Sequence, residues 1–412
     1  MKNLFLISII VFSISLLLTC EKEPPTKPPI PNKGSVYGVV IDAQTQLPVV
    51  NAQVVATKNH VMDTTDSLGT FTLKNLSTGQ ETLQVTAAEF ETQTEIIEIK
   101  PDSQWVEITL NRVKENLYLY VGTAGGNDLF VVDVDSMQKE DSLYFAPGNM
   151  WGLYITPGGT KIYVTQTWPD SSVYYLDTKT KTYHLTNLPN SIIFFNDNKE
   201  GFLFRFGGGI FNIDTLTDQI TPIDNITLGE IIAFDKTSPK IYFVKNEKLY
   251  SYNYYQTRIT DSLSLPSAWN KAMTPDNREL YFTTPNGYLG VINIQSANVE
   301  YITRANPYGR IAITPDGQYV LVSDPGSNIP PSPGSGLLIV VRTGDHSLDG
   351  YIEDVWGGEN IVINRTSKLA FVNDFGGVFI VDIPQRKVIK YLRFYPYGAT
   401  IKSLVLGPKP KP

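Results

Sequence analysis

A unit of about 40 residues recurs along the second part of the chain, and each copy holds four short strand-like runs. Two copies read "LYITPGGTKIYVTQTWPDSSVYYLDTKTKTYHLT" and "KAMTPDNRELYFTTPNGYLGVINIQSANVEYIT", with a TP-containing turn between the first two runs. The last apolar residue of the first run aligns in steps of 40, 39, 39, 40, 50 and 42 residues at Ile155, Phe195, Phe234, Met273, Ile313, Ile363 and Val405. This period, with four strands per copy, predicts a β-propeller.

The number of sheets follows from the two ends of the repeated region. Residues 116–146 supply three strands with no first strand before them, and "TIKSLVLG" supplies a first strand with nothing after it. Pairing these pieces would complete one sheet and remove an open edge. We therefore predict an all-β chain with a seven-bladed propeller at residues 116–407, closed by N- and C-terminal strands that share one blade.

The repeat motif resembles that of the YVTN and surface-layer-type propellers. The copies "ITPDGQYVLVSD" and "MTPDNRELYFTT" carry this likeness, which extends over about 290 residues. It implies the architecture and allows a structural subunit of a cell-surface complex, but such folds host many functions. Aspartate or asparagine in the third turn of each copy is expected to accept turn hydrogen bonds, at Asp133, Asp177, Asp214, Asn253, Asn293 and Asp382.

Residues 34–112 form a separate region of short alternating runs, which is typical of a small β-sandwich. The stretches "GVVIDAQTQLPVVNAQV" and "TTDSLGTFTLKNLSTGQETLQVTAAEF" resemble the carboxypeptidase regulatory-like domain, which implies a transthyretin-like sandwich. The matching positions are Gly38, Val40, Asp42, Pro48, Ala52, Val54, Thr65, Asp66, Gly69, Phe71 and Gly79. The resemblance implies an accessory spacer without a catalytic set.

The N-terminus resembles a bacterial lipoprotein leader. Lys2 precedes an apolar run, and "LLTC" resembles a lipobox, which implies a signal peptide at residues 1–19 and a lipidated Cys20. The proline-rich residues 20–33 predict an extended tether, and residues 408–412 a short Pro/Lys tail. The "EKE" after the cysteine resembles the export signals of surface lipoproteins in Bacteroidota. We expect a lipid-anchored envelope protein, at the outer membrane or cell surface.

Charge and residue counts exclude several classes of function. The net charge is −7 with no basic stripe, which argues against nucleic acid as a partner. One cysteine and three dispersed histidines (His60, His184 and His346) give no metal-ligand spacing, and we predict no metal, cofactor or catalytic set. The alternative is a propeller-type hydrolase or lyase using Glu230, Glu359 or Asp374 at the channel mouth.

The step of 50 residues marks an insertion of about ten residues, "SDPGSNIPPSPGSG", between the second and third strands of one copy. It should lie at the end of the propeller where the variable loops collect, and variable loops on a rigid scaffold commonly bind ligands. We predict a face there that binds a partner protein or a carbohydrate through exposed aromatic, carboxylate and amide groups. Its candidate residues are Trp151, Trp168, Asp170, Glu230, Trp269, Asp324, Asn328, Trp356, Glu359, Asp374 and Phe375.

Overall fold

The computed structural model describes residues 33–88, 90–145, 149–166, 172–195, 200–205, 208–235, 238–324, 336–394 and 400–410. The predicted signal peptide, Cys20 and nearly all of the tether lie outside these residues. The described residues contain strands and turns but no helix, which confirms the all-β class. No helix capable of crossing a membrane is found within them. The chain divides into two compact units, Met1–Val113 and Lys114–Pro412.

The first unit contains two sheets that share one core. Its strands are β1 (Lys33–Asp42), β2 (Gln53–Ala56), β3 (Val61–Thr64), β4 (Thr70–Ser77), β5 (Gly79–Thr86), β6 (Gln93–Ile99) and β7 (Ser103–Leu110). The sheet orders are β4-β1-β7 and β3-β2-β5-β6, and β1 runs parallel to β7 while the other pairs are antiparallel. Alternate residues of β1 point inward, so that Val36 and Val40 are buried against Leu73 and Leu83.

Two residues of the predicted spacer motif have clear physical roles in the first unit. Gly38 lies against β7, where an added Cβ would come within 2.1 Å of the Val106 carbonyl oxygen. Asp66 orders the turn before β4 by accepting backbone hydrogen bonds from Leu68 at 2.9 Å and Thr70 at 2.8 Å. These contacts explain why the motif needs a glycine within a strand and an aspartate before one.

The second unit contains seven four-stranded antiparallel sheets within its described residues. The first combines β35 (Thr400–Pro408) with β8 (Leu117–Ala124), β9 (Asp128–Asp133) and β10 (Gln138–Tyr144). The next three contain β11 (Met150–Ile155), β12 (Lys161–Gln166), β13 (Ser172–Asp177) and β14 (Thr182–Pro189); β15 (Ser191–Phe195), β16 (Glu200–Arg205), β17 (Ile210–Asp214) and β18 (Gln219–Asp224); and β19 (Glu230–Asp235), β20 (Lys240–Lys245), β21 (Lys248–Asn253) and β22 (Arg258–Ser264). The last three contain β23 (Lys271–Met273), β24 (Glu279–Thr283), β25 (Tyr288–Asn293) and β26 (Val299–Arg304); β27 (Ile311–Ile313), β28 (Tyr319–Asp324), β29 (Leu337–Arg342) and β30 (Leu348–Glu353); and β31 (Ile361–Ile363), β32 (Leu369–Asn373), β33 (Gly377–Asp382) and β34 (Lys387–Arg393).

The turns between strands obey the chemistry expected from the repeat. In the turn between β27 and β28, Thr314 Oγ1 donates to Asp316 Oδ1 at 2.6 Å, and Gly317 takes a φ of 71° that favours glycine. Between β13 and β14, Asp177 Oδ1 accepts from the backbone nitrogens of Lys179 at 3.0 Å and Thr180 at 2.8 Å. The same role at the other predicted acceptors is confirmed at Asp133, Asp214, Asn253, Asn293 and Asp382.

Consecutive sheets are in contact through their innermost strands, which are β11, β15, β19, β23, β27, β31 and β35. The rings of Phe194 in β15 and Phe234 in β19 stack with centroids 6.3 Å apart, and β35 contacts β11. The loop face is the end at which these strands begin, and it includes residues 149–151, 190, 225–230, 265–271, 305–310, 354–360, 374–376 and 400–402. The turn face is the opposite end of the same sheets.

Candidate functional site

Neighbouring sheets are joined at the loop face by polar contacts between residues about one repeat apart. Each contact links the beginning of one innermost strand to the beginning of the next. The pairs are Lys271 with Glu230, Arg310 with Asn270, and Lys402 with Glu359, separated by 41, 40 and 43 residues. The repeat therefore places residues at equivalent positions of neighbouring sheets side by side. Together these residues form a polar rim on the loop face.

Glu230 is an ion-pair partner rather than a free carboxylate. Its Oε2 lies 2.7 Å from the Nζ of Lys271, which also donates to the Trp269 carbonyl oxygen at 2.8 Å. The lysine side chain is 5% exposed and the glutamate side chain 52% exposed, so the carboxylate covers a nearly buried cation. A carboxylate held in this way is a poor candidate for a general base, because one of its oxygens is already engaged by the lysine ammonium.

Glu359 is engaged in the same manner at a second point of the rim. Its Oε2 accepts from Lys402 Nζ at 2.9 Å, and this ammonium lies 5.9 Å from the ring centroid of Trp151. Asn360 Nδ2 holds the same segment through the Lys402 carbonyl oxygen at 3.0 Å. Trp151 remains 53% exposed, so one indole face is open beside a lysine that is already paired.

Trp269 forms the best-defined aromatic surface of the loop face. Its ring centroid lies 4.4 Å from that of Tyr308, in the loop before β27, at an interplanar angle of 48°. Trp269 is held by a backbone hydrogen bond to the Thr283 carbonyl oxygen at 2.9 Å, and Tyr308 by one to Asn306 Oδ1 at 2.9 Å. Both rings are nevertheless exposed, which makes a fixed aromatic platform with an accessible face.

The expectation that Asp324 is presented to a partner is wrong. Asp324 ends β28, pairs with Leu337 at the start of β29, and is only 1% exposed. Its Oδ1 accepts from Asn306 Nδ2 of the preceding loop at 3.3 Å. This carboxylate is a structural anchor. Asn328, Trp168 and Asp170 lie outside the described residues, and their roles stay predictions.

Asp374 and Phe375 lie in one tight turn but have different roles. Asp374 Oδ1 accepts from the backbone nitrogens of Gly376 and Gly377, at 2.8 and 2.5 Å. Its Oδ2 accepts from Tyr391 Oη at 2.8 Å, and burial together with this carboxylate raises the pKa of Tyr391 to about 12. Phe375 stands at the tip with 71% exposure, so the aspartate shapes the turn and the phenylalanine is presented by it.

Trp356 lies in the loop before β31 and is also exposed. It precedes Gly357 and Gly358, whose φ angles of 99° and 100° reverse the chain. Gly358 then donates to the Asn373 carbonyl oxygen at 2.6 Å, which fixes the end of this loop against β32. The structure thus places the three described tryptophans of the candidate set at the start of an innermost strand (Trp151) or in the loop just before one (Trp269 and Trp356), each with exposed indole surface.

No described cluster of three or more His, Cys, Asp or Glu side chains could hold a metal ion. His346 lies on the turn face, with Nδ1 2.8 Å from Glu300 Oε2 and Nε2 2.9 Å from Glu279 Oε1. Burial alone would lower the pKa of His346, but these hydrogen bonds outweigh it and raise the pKa above its usual range. This histidine joins two sheets and does not face the candidate site.

Four residues that shape the site were not predicted from the sequence, namely Tyr308, Lys271, Arg310 and Lys402. A signal for them was present in the period, because residues about 40 positions apart occupy adjacent sheets. Applied to the candidate carboxylates, the period points from Glu230 to Lys271 and from Glu359 to Lys402. What the rim offers chemically is aromatic surface, an amide and cationic groups, with its glutamates already neutralised.

A family model identifies a domain in the N-terminal part of the chain, and similar solved structures indicate the fold of the second unit. Residues 36–119 match the CarboxypepD_reg-like domain, which confirms the resemblance found in the sequence. No curated protein sequence matches the chain. Because the family model matches only this part of the chain, it describes the N-terminal unit.

Solved structures similar to the chain have propeller-like folds. A protein from Bacteroides fragilis, provisionally named a 6-phosphogluconolactonase, is 13% identical with a TM-score of 0.52 over 71% of this chain and 99% of its own. A protein of unknown function from Desulfotomaculum acetoxidans is 11% identical with a TM-score of 0.53, over 70% and 98%. A second provisional 6-phosphogluconolactonase, from Bacteroides uniformis, is 12% identical with a TM-score of 0.51, over 70% and 99%. At these identities the likeness shows the fold alone: the chain contains a CarboxypepD_reg-like domain and a propeller-like all-β unit.

Proposed function

We propose that this chain is a lipid-anchored, non-catalytic envelope protein whose propeller binds a partner protein or a glycan through the loop face. The observation that carries the proposal is the set of exposed aromatic side chains at, or shortly before, the starts of the innermost strands. Trp151, Trp269 and Trp356 each keep open indole surface, although tryptophan is a residue that folded proteins bury in large part. Exposed aromatic rings fixed by a rigid scaffold are typical of binding surfaces.

The proposal includes a closed ring of seven blades. Its support is the pairing of β35 with β8 from Thr400 and Ala124 to Pro408 and Leu117, which joins the two ends of the second unit in one sheet. The contacts of β35 with both β31 and β11 add to this support, because they place the shared sheet between its neighbours. Closure of this kind leaves no long exposed sheet edge.

The anchor rests on the sequence of the leader. Cys20 follows an apolar run and precedes a tether with five prolines in residues 21–33. Two or three acyl chains on one cysteine bind a bilayer stably, which one chain does not. A tether of this length would hold the folded units away from the membrane, and the outer membrane or cell surface is the proposed location.

Hydrolysis is the alternative that the site chemistry argues against. Two relatives in fold carry the provisional name 6-phosphogluconolactonase, and a lactonase would need a free base near its substrate. Glu230 and Glu359 are each paired with a lysine, and Asp374 is committed to its own turn. We expect that the purified protein does not accelerate the hydrolysis of 6-phosphogluconolactone above its spontaneous rate.

The experiment that tests binding compares two triple variants as baits for envelope extracts. The first is Trp151→Ala, Trp269→Ala and Trp356→Ala on the loop face. The control is Leu185→Ala, Leu216→Ala and Tyr255→Ala, three exposed apolar side chains elsewhere on the second unit. We expect the tryptophan variant to lose the captured protein or polysaccharide and the control to retain it. Equal capture by both would refute the loop face as the binding surface, and lactonase turnover abolished by Glu230→Gln would replace the proposal.

A further inference from the structure

The aromatic platform of Trp269 and Tyr308 lies beside a cation that no carboxylate neutralises among the described residues. Arg310 begins the approach to β27 two residues after Tyr308, and it is exposed. Its guanidinium has one described hydrogen bond, in which Nη1 donates to Asn270 Oδ1 at 2.9 Å. Lys271 and Lys402 of the same rim are both paired with glutamates. Arg310 thus differs from the neighbouring rim cations in keeping its charge available.

Hydrogen bonds to the backbone of Arg310 and to the Asn270 amide hold Arg310 in place without pairing its positive charge with a described carboxylate. Its backbone nitrogen donates to Ser323 Oγ at 2.9 Å, and Ser323 Oγ donates to the Gly358 carbonyl oxygen at 3.0 Å. Asn270, which accepts from the guanidinium, immediately follows Trp269 in the chain and bonds its own backbone nitrogen to Thr283 Oγ1 at 3.2 Å. The bonds of Ser323 thus fix the backbone of Arg310, and the amide of Asn270 holds its guanidinium beside the residue that follows Trp269. An arginine with free N–H groups can bind a carboxylate through two parallel hydrogen bonds.

We propose that this platform binds an acidic sugar residue, such as a uronic acid of a polysaccharide. The inference rests on the proposed function, since it names the ligand class of the loop face. The two rings, tilted by 48°, would contact the apolar face of the sugar ring, and Arg310 would bind the carboxylate. Asn270 holds the guanidinium there through Oδ1, and its Nδ2 donates to the Pro307 carbonyl oxygen at 3.5 Å.

The shape of the surface favours a sugar over an acidic peptide. Peptide recognition uses a sheet edge or pockets for alternate side chains. The two described cavities, of about 240 and 90 Å³, are lined by other residues, including Tyr118 and Leu176 in one and Phe204 and Arg205 in the other. Trp269 and Tyr308 instead present exposed ring surface, which suits the apolar C–H face of a pyranose ring. An acidic peptide is the competing outcome of the experiment.

The test measures binding of two oligosaccharides of equal length to the full chain by calorimetry. The acidic probe is a penta-galacturonate and the neutral probe a penta-galactan. The variants are Arg310→Gln, Arg310→Lys and Trp269→Ala, and the matched control is Arg278→Gln, which changes an exposed arginine on the turn face. Circular dichroism and the unfolding midpoint establish that each variant is folded.

We expect the unaltered chain to prefer the acidic probe and Arg310→Gln to weaken its binding roughly 10- to 100-fold, as loss of a charge-assisted pair does. Arg310→Lys should recover part of the loss, Trp269→Ala should weaken both probes, and Arg278→Gln should weaken neither. If Arg310→Gln leaves acidic binding unchanged while Trp269→Ala abolishes it, acid recognition is refuted and the binding face stands. If neither sugar binds but an acidic envelope protein is captured through Trp269, the sugar class is refuted and the proposed function again stands. If neither sugar binds and no capture depends on the tryptophans, both are refuted.

Discussion

Replacing Ile401 by alanine should destabilise the second unit through the sheet that joins its two ends. Ile401 lies in β35, is fully buried, and shares a core with Leu119 and Phe130 of the same sheet and with Phe371 and Ile380 of the preceding one. The change removes three carbon atoms, and about 0.8 kcal/mol for each gives a transfer loss of about 2.4 kcal/mol. The cavity adds to this loss, and the total expected is about 3–4 kcal/mol.

The assay is equilibrium unfolding in urea followed by tryptophan emission. Trp151, Trp168, Trp269 and Trp356 all belong to the second unit, and only Trp105 belongs to the first. The matched control is Val299→Ala in β26, an exposed position at which a change of under about 0.5 kcal/mol is expected. A loss for Ile401→Ala below about 1 kcal/mol would refute the reasoning, because it would mean that β35 does not share the buried core of β8.

Three further changes test single features of the fold. The pKa of His346 is raised in the folded state, so its protonated form should stabilise the fold fully below about pH 6.5. This stabilisation should be lost as the pH rises through the raised pKa of the folded state. Melting curves of the unaltered chain should therefore show a fall in melting temperature over this pH range that His346→Gln lacks. Asp177→Ala should cost about 1 kcal/mol in urea unfolding, since two turn amides lose their acceptor, and Asp177→Asn should cost less. Gly317→Ala should cost about 1 kcal/mol because its φ of 71° strains a side-chain-bearing residue, whereas equal stability would show that the turn can readjust.

The repeating strands could be predicted from the sequence because their causes are local. Alternating apolar residues define the strands, and turn residues such as Thr314, Asp316 and Gly317 act within a few positions of each other. The pairing of β35 with β8 joins distant parts of the chain, but each end lacked the strands that the other supplied. Pattern and turn chemistry agree in each repeat, and this consistency is why the sheets were predictable.

The candidate site was harder to predict because its chemistry depends on neighbours from other sheets. Glu230 looks like a free carboxylate until Lys271 is placed 2.7 Å away. Asp324 ends a strand and precedes a proline-rich insertion, a position typical of an exposed residue. It is buried instead, and its hydrogen bond with Asn306 of the loop before β27 is a contact that no local pattern contains. Trp151 and Trp269 were easier, because each lies four residues before the aligned apolar residue of its copy, a position that follows from the repeat itself.

Photo-crosslinking in intact cells tests most directly whether the loop face is the binding surface. A crosslinking phenylalanine analogue replaces one exposed aromatic residue at a time. Tyr308 and Phe375 lie on the loop face, and Tyr255 lies on the turn face. We expect adducts to an envelope protein or polysaccharide from positions 308 and 375 and none from position 255. Adducts from position 255 alone, or from none of the three, would contradict binding at the loop face.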